Sequence, residues 1–239
     1  MIGFDRSLLI PLLLLLGGLA LPIEAQQTVF NVPSSDVLGK GELYFELDAA
    51  FKTNDQETVG RFSSFVPRIV FGTGNDIEVG LNVTGNVQPG EDATTLVPAV
   101  KWRAYSSEAN GLSVVVGTSL HLPVRDSEYD VGNYSYAQAS KTFKTGTRVT
   151  AGGYYFSESV VAPDAQRAGA QFAFEQRVTS YLNVNADWIT GKHSAGYFTP
   201  GVAFKLHPRV TGYAAYSIGN ADAAQGNHFF YAAIGINLR

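Results

Sequence analysis

The chain has 239 residues, of which 17 are Lys or Arg and 21 are Asp or Glu, giving a formal net charge of −4. A charge this evenly balanced argues against nucleic acid as a partner. Cysteine is absent, which excludes disulfide bonds and thiolate zinc sites. We therefore expect the stability of the fold to come from strand closure and burial.

The first 25 residues, MIGFDRSLLIPLLLLLGGLALPIEA, predict a secretory signal peptide. The leucine-rich run after Arg6 is interrupted by Pro11 and by a Gly pair, so it is too short and too broken for a membrane span. A small residue, Ala25, precedes the polar pair Gln26–Gln27. An uncleaved anchor is the alternative. Removing 25 of the 239 residues leaves 214, enough for one large all-β domain.

Residues 26–40 form a short periplasmic segment rich in turn formers, from Pro33 to Asp36. We expect it to fold into the periplasmic mouth and restrict it. Period-two alternation begins at Leu43 and recurs to the end of the chain, so residues 41–239 predict the barrel itself. The stretch "RIVFGTGNDIEVGLNV" (residues 68–83) predicts two strands joined by a five-residue turn, with one apolar face on each strand.

About twelve such strands can be counted, and helical periodicity is absent from the mature chain. Tight turns follow the even-numbered strands, and polar loops of roughly ten residues follow most odd-numbered ones, as in outer-membrane barrels. The strands are about 9–11 residues long, the length that crosses a bilayer at a tilt, whereas strands of soluble sandwiches cluster near 5–6. The sequence therefore predicts a transmembrane antiparallel up-and-down β-barrel of about twelve strands. A soluble exported β-sandwich is the alternative.

Aromatic residues gather at the predicted strand ends, as in the interfacial belts of membrane proteins. Trp188 and Tyr216 lie at the loop end, and Trp102 lies at the turn end. We predict these three side chains to face the membrane interface. The predicted outward faces are apolar, so the partners of the chain are membrane lipids, and the predicted location is the outer membrane of a Gram-negative-type envelope.

Twelve strands give a backbone diameter of about 24 Å and a free lumen of about 10–12 Å at most. This size suits a small solute. Charges of both signs line the predicted lumen, either as an open pore with a transverse field or as a salt-bridged plug. We expect four inward tyrosines to provide stacking surfaces for an aromatic solute: Tyr44, Tyr105, Tyr154 and Tyr213. The predicted lumen or solute-lining residues are Tyr44, Glu46, Asp48, Arg68, Glu78, Lys101, Arg103, Arg148, Glu175, Arg177, Asp187 and Tyr213.

Four blocks resemble the MetA-type family of outer-membrane barrels, named for a phenol-degradation pathway. They are "VPSSDVLGKGELYFELD", "VPRIVFGTGNDIEVGL", "VPAVKWRAYSSEANGLSVVVGTSLHLP" and "YFTPGVAFKLHPRVTGYAAYSIGN". The resemblance implies an outer-membrane channel or transporter-like barrel for small, apolar or aromatic solutes, and it supplies no catalytic motif. The chain departs from many such barrels in ending on Leu238–Arg239 and not on an aromatic residue, which bears on recognition by the barrel-assembly machinery.

Two other functions stay open at this point. A closed structural or adhesive barrel would bind a partner through its external loops. An outer-membrane lipid hydrolase would use Ser119 and His121, with Asn133 across the next loop as the orienting group. The alternation of the strand turns Ser119 and His121 inward, away from a lipid substrate, so we predict that the protein is not an enzyme. We also predict no cofactor and no metal site. We expect His193 and His228, near Asp222, to be solvated loop residues, and the barrel to be a monomer.

Overall fold

The computed structural model describes residues 27–53, 61–85, 94–125, 130–221 and 227–238. Twelve strands lie in these ranges and form one closed antiparallel barrel, with β1 paired to β12 and every other strand paired to its neighbours in sequence. The strands are β1 Leu43–Lys52, β2 Phe62–Gly74, β3 Ile77–Gly85, β4 Thr94–Ser107, β5 Leu112–Arg125, β6 Gly132–Thr142, β7 Thr147–Phe156, β8 Ala168–Arg177, β9 Leu182–Ile189, β10 Tyr197–His207, β11 Val210–Gly219 and β12 Phe229–Asn237.

This architecture confirms the predicted fold, including β6 and β7, whose two faces differ least in polarity. The ladder between β1 and β12 runs from the Tyr44–Asn237 pair to the Phe51–Phe230 pair, so the first and last strands close the sheet without a gap. Closure leaves the sheet with no open edge of unpaired N–H and C=O groups. Among the described residues, no helix is long and apolar enough to cross a membrane.

The hairpin between β2 and β3 is tighter than the sequence predicted. The strands continue through a bulge at Gly72–Gly74, and only Asn75 and Asp76 form the turn. Both have positive φ, 54° and 59°. A two-residue turn with positive φ at both positions has the backbone twist of the flanking strands. Asn and Asp tolerate this left-handed region better than most side chains.

The outward face of the barrel is apolar and exposed. In the β2–β3 hairpin, Ile69 is 43% exposed, Phe71 44% and Val79 42%. Strands farther around the barrel continue this surface through residues such as Phe172 of β8 and Phe198 of β10. An apolar band that surrounds the whole molecule is much larger than the patches that soluble monomers tolerate. The band fits hydrocarbon, and the predicted interface aromatics Trp102, Trp188 and Tyr216 lie on it, 47%, 42% and 38% exposed.

A bulge in β4 overturns the prediction for Tyr105. Arg103 pairs with Val115, and Tyr105 pairs with Val114, so two residues of β4 advance against one of β5. An extra residue in one strand shifts the alternation by one position. Tyr105 therefore leaves the lumen face and is 51% exposed.

Adjacent residues of β5 test which face meets lipid. Leu120 is 45% exposed on the outward face, and Ser119 is buried on the inward face. We predict that Leu120→Gln lowers the free energy of unfolding by about 1–3 kcal/mol, because it places an amide in hydrocarbon without a hydrogen-bond partner. Ser119→Gln should cost a small part of that because its amide faces the polar lumen. Urea titration of the barrel in lipid vesicles measures both, and equal costs would contradict the assignment of faces.

Candidate functional site

The chain before β1 lies inside the barrel. We call residues 27–40 the plug. It enters at the turn end, where the Gly41 N–H donates to the Gly72 carbonyl at 2.8 Å, and it reverses in a tight turn closed by the Val29 N–H and the Val32 carbonyl, also at 2.8 Å. Val29 and Val32 are buried. The sequence predicted a segment at the mouth, whereas the structure places it deep in the lumen.

Asp187 of β9 holds the tip of the plug. Its Oδ2 accepts hydrogen bonds from three consecutive backbone N–H groups, of Phe30 at 2.9 Å, Asn31 at 2.5 Å and Val32 at 2.8 Å. The Asn31 Nδ2 also donates to the Thr199 Oγ1 at 2.9 Å. Converging backbone N–H groups form a concave anion site, and a buried carboxylate needs such donors when no cation pairs with it. The tip and Asp187 therefore satisfy each other.

Arg148 joins the middle of the plug to the wall. Its Nη1 lies 2.7 and 2.8 Å from the two carboxylate oxygens of Asp36, and its Nε and Nη2 donate to Glu175 at 2.5 and 2.6 Å. Burial alone would raise the pKa of the Asp36 carboxyl, but the charge and the hydrogen bonds of Arg148, together with the charges of Lys101 and Arg103, hold that pKa below its usual value. Asp36 is therefore ionised at neutral pH.

A second ion pair holds the two ends of the plug. Glu78 and Lys101 lie 2.9 Å apart, on β3 and β4. Glu78 Oε2 accepts the Leu38 N–H at 2.9 Å and the Gln27 Nε2 at 3.2 Å. Lys101 Nζ donates to the Ser34 carbonyl at 3.4 Å. The pair thus binds plug residues on both sides of the tight turn.

Arg68 organises the charges of β1 and β2. It donates to Glu46 at 2.6 Å and to Asp48 at 3.3 Å, and it reaches the plug through the Thr28 Oγ1 at 3.1 Å. Tyr231 donates its hydroxyl to the other oxygen of Asp48 at 2.9 Å. Two carboxylates and one guanidinium so close together remain tolerable because each carboxylate has a donor.

Most of the predicted lumen residues are brought together inside the barrel. Tyr44 and Tyr213 are buried there with the charges described above. Two predictions need correction. Arg103 pairs with Asp76 at the turn end, and its side chain is 29% exposed. Arg177 is the last residue of β8 and is exposed. Both lie at the rim because their strands end or bulge there.

Sequence reasoning missed a chain of neutral donors and acceptors on the opposite wall. The Tyr134 hydroxyl donates to Gln171 Oε1 at 2.8 Å, and Gln171 Nε2 donates to Gln138 Oε1 at 2.7 Å. Gln138 in turn donates to the Pro33 carbonyl of the plug. Strict alternation along β6 from Gly132 places Tyr134 and Gln138 on the inward face. The two faces of β6 differ so little in polarity that the sequence did not identify these residues.

A cavity of about 480 Å³ lies beside the plug, and residues of β1 to β7, β9, β10 and β12 line it. Gln27, Glu78 and Lys101 line it toward the turn end, and aromatic side chains line much of the rest. Tyr134 and Phe156 stack with ring centroids 4.7 Å apart. The further aromatic lining residues are Phe30, Tyr136, Tyr197, Phe229 and Tyr231.

The residues of the hydrolase alternative do not assemble. Ser119 and His121 line the cavity, as their parity predicted. Asn133, the proposed orienting group, pairs with the outward Leu120, and its Nδ2 donates to Thr118 Oγ1 at 2.7 Å. The nucleophile–base pair and its orienting group therefore lie on opposite faces of the sheet, where they cannot form a relay.

The loop histidines are not simply solvated. His193 is fully buried, and its Nε2 lies 2.7 Å from the Tyr154 hydroxyl. Burial lowers the pKa of His193, which favours a neutral ring at neutral pH. His228 accepts the Gly219 N–H at 3.1 Å, and Asp222 lies outside the described residues. No group of three or more potential metal ligands occurs in the part of the chain that the structure describes.

Asp187 provides a direct test of how the plug is held. A cysteine placed at the buried Val32 would be the only thiol in the chain. We predict that Asp187→Ala speeds maleimide labelling of Val32→Cys in the folded barrel by at least about tenfold, because hydrogen bonds to a charged group contribute about 1.5–3 kcal/mol.

Asp76→Asn is the matched control, since it removes an exposed carboxylate charge that contacts Arg103 and not the plug, and Asn tolerates the positive φ at this position. Labelling rates that respond equally to the two substitutions would contradict the role given to Asp187.

No family model matches the chain, and no curated protein matches it. Solved structures of similar fold include three outer-membrane proteins. A KdgM porin in complex with disordered oligogalacturonate has a TM-score of 0.57 at 8% identity, covering 81% of this chain and 99% of that one. The COG4313 outer membrane channel from Pseudomonas putida F1 has a TM-score of 0.51 at 11% identity, covering 84% and 97%.

Outer membrane phospholipase A from Escherichia coli is also similar, with a TM-score of 0.50 at 13% identity, covering 85% of this chain and 94% of that one. Channels and an enzyme therefore share this architecture, and identities this low establish the fold alone. The chain has the fold of outer-membrane β-barrels.

Proposed function

We propose that the protein is an outer-membrane barrel that binds small, apolar or aromatic solutes in its lumen and passes them passively. Residues 1–25 are removed on export, the barrel-assembly machinery inserts the chain, and the barrel acts as a monomer. The resemblance of four sequence blocks to the MetA-type channel family supports this function, as do the folds of the porin and of the COG4313 channel. None of these supports a catalytic role.

The cavity beside the plug carries the proposal. Its volume of about 480 Å³ falls in the range of small-molecule sites, which are concave, mostly apolar and equipped with few directed polar groups. The aromatic rings supply flat contact surfaces. Asn82, Ser119 and His121 lie among them on β3 and β5 and supply the polar groups.

Charge pairing favours uncharged solutes. The charged residues that line the cavity are Asp48, Arg68, Glu78 and Lys101, and each bonds to an opposite charge within the wall. A charged solute would have to give up its hydration without a free counter-charge to replace it. A neutral ring with one hydroxyl or carbonyl group avoids this cost.

The plug also fits a second candidate function, a permanently closed barrel. Its contacts with Asp187, Arg148 and Glu78 hold it in the lumen, so a solute can cross the barrel only if the plug shifts. A permanently closed barrel whose external loops bind a partner would hold the same contacts. The two functions differ in whether the intact barrel ever conducts.

Planar-bilayer recording of the intact mature barrel tests both. We predict intermittent ion conductance that falls when neutral naphthol is added and responds much less to naphthoate, because the cations among the described lining residues, Arg68 and Lys101, are already paired. Ala99→Trp should reduce the current by filling the cavity, since Ala99 lines it.

Ala137→Trp is the matched control, because Ala137 is exposed on the outward face. A barrel that stays silent until residues 27–38 are deleted would favour the closed barrel. Conductance that is indifferent to naphthol and to Ala99→Trp would contradict the solute site.

A further inference from the structure

Three adjacent turns of the barrel carry cations without acidic neighbours. They connect β6 to β7, β8 to β9 and β10 to β11, and they contribute the exposed residues Lys144, Arg177 and Arg209. No Asp or Glu occurs in residues 141–147, 176–182 or 205–210. In the described ranges, none of the three cations forms an ion pair, in contrast to the charges of the lumen.

Backbone hydrogen bonds join these turns into one surface. The Arg177 N–H donates to the Gly146 carbonyl at 3.2 Å, and the Lys205 N–H donates to the Tyr181 carbonyl at 2.8 Å. The three cations therefore form a patch held by the ends of the sheet and do not belong to independent loops.

Large apolar side chains alternate with the cations. Tyr181 is 61% exposed, Leu206 60% and Val178 55%. Val178 continues the outward row of β8 one residue past the end of that strand, and Leu206 belongs to the outward row of β10 next to its last residue, His207. The patch is thus continuous with the apolar band of the barrel, at the level where acyl chains give way to headgroups.

The patch is confined to one side of the turn end. The opposite side carries Asp76, which pairs with Arg103, and the exposed Glu108. These three cations therefore lie on one side of the turn end and are not spread around the whole rim. Cations beside apolar anchors at a membrane boundary attract the headgroups of anionic lipids.

We propose that Lys144, Arg177 and Arg209, with Val178, Tyr181 and Leu206, form a binding surface for the headgroups of anionic phospholipids in the leaflet next to the turns. The apolar side chains contact the upper acyl chains while the cations contact the phosphates. An acidic soluble protein would use the cations but would leave the outward row of apolar residues facing lipid, so the lipid fits both halves of the surface.

The test compares the Tm of the whole mature barrel in phosphatidylcholine vesicles with and without phosphatidylglycerol. We expect phosphatidylglycerol to raise the Tm of the parent by a few degrees at low salt and less at high salt. Lys144→Gln combined with Arg209→Gln should lose most of this rise. The control combines Arg125→Gln with Arg167→Gln at the loop end and should keep it.

Folding of each variant is checked first by its Tm in phosphatidylcholine alone, and the single Arg209→Gln variant replaces a pair that fails to fold. Phosphatidylglycerol that stabilises the parent and the turn-end variant equally would overturn the proposal, as would no effect of phosphatidylglycerol on the parent. A matching rise caused by polyglutamate on the detergent-solubilised barrel, lost in the same variant, would also overturn it in favour of an acidic protein.

Discussion

Backbone hydrogen bonding in hydrocarbon is the constraint on which this structure depends. Lipid offers no donor or acceptor, so each strand must pair on both sides and the sheet must close. The pairing of β1 with β12 achieves this closure. Once the sheet is closed, alternation divides the side chains into an apolar outer face and a polar inner face. The position of the N-terminal segment then depends on the charged side chains of the inner face.

The inside holds charges that a narrow lumen cannot hydrate freely, and the N-terminal segment provides many of their partners. Asp187 accepts hydrogen bonds from three backbone N–H groups of the segment, and Arg148 forms an ion pair with the Asp36 carboxylate. Such a network is stable only when every member is satisfied. The same contacts leave a cavity on one side of the plug, so a single arrangement explains both the obstruction of the lumen and the space available to a solute.

The sequence predicted the barrel because membrane strands repeat a local pattern. Period-two alternation placed Tyr44, Glu46 and Asp48 inward, and the structure agrees. The alternation gives a wrong orientation where the strand is interrupted, as at the β4 bulge that turns Tyr105 outward. It could not locate the plug, because residues 27–40 have no period and their partners are distant in sequence: Phe30 and Asp187 are 157 positions apart. Contacts of that kind depend on how the closed barrel places its strands, which no local pattern encodes.

The central claim is that hydrocarbon, and not a second layer of protein, covers the apolar face. The most direct measurement is circular dichroism, together with the heat-dependent electrophoretic mobility, of the purified mature polypeptide in plain buffer and in detergent or lipid. The account predicts a folded, heat-modifiable barrel only when detergent or lipid is present. A polypeptide that folds and stays dissolved in buffer alone would contradict it.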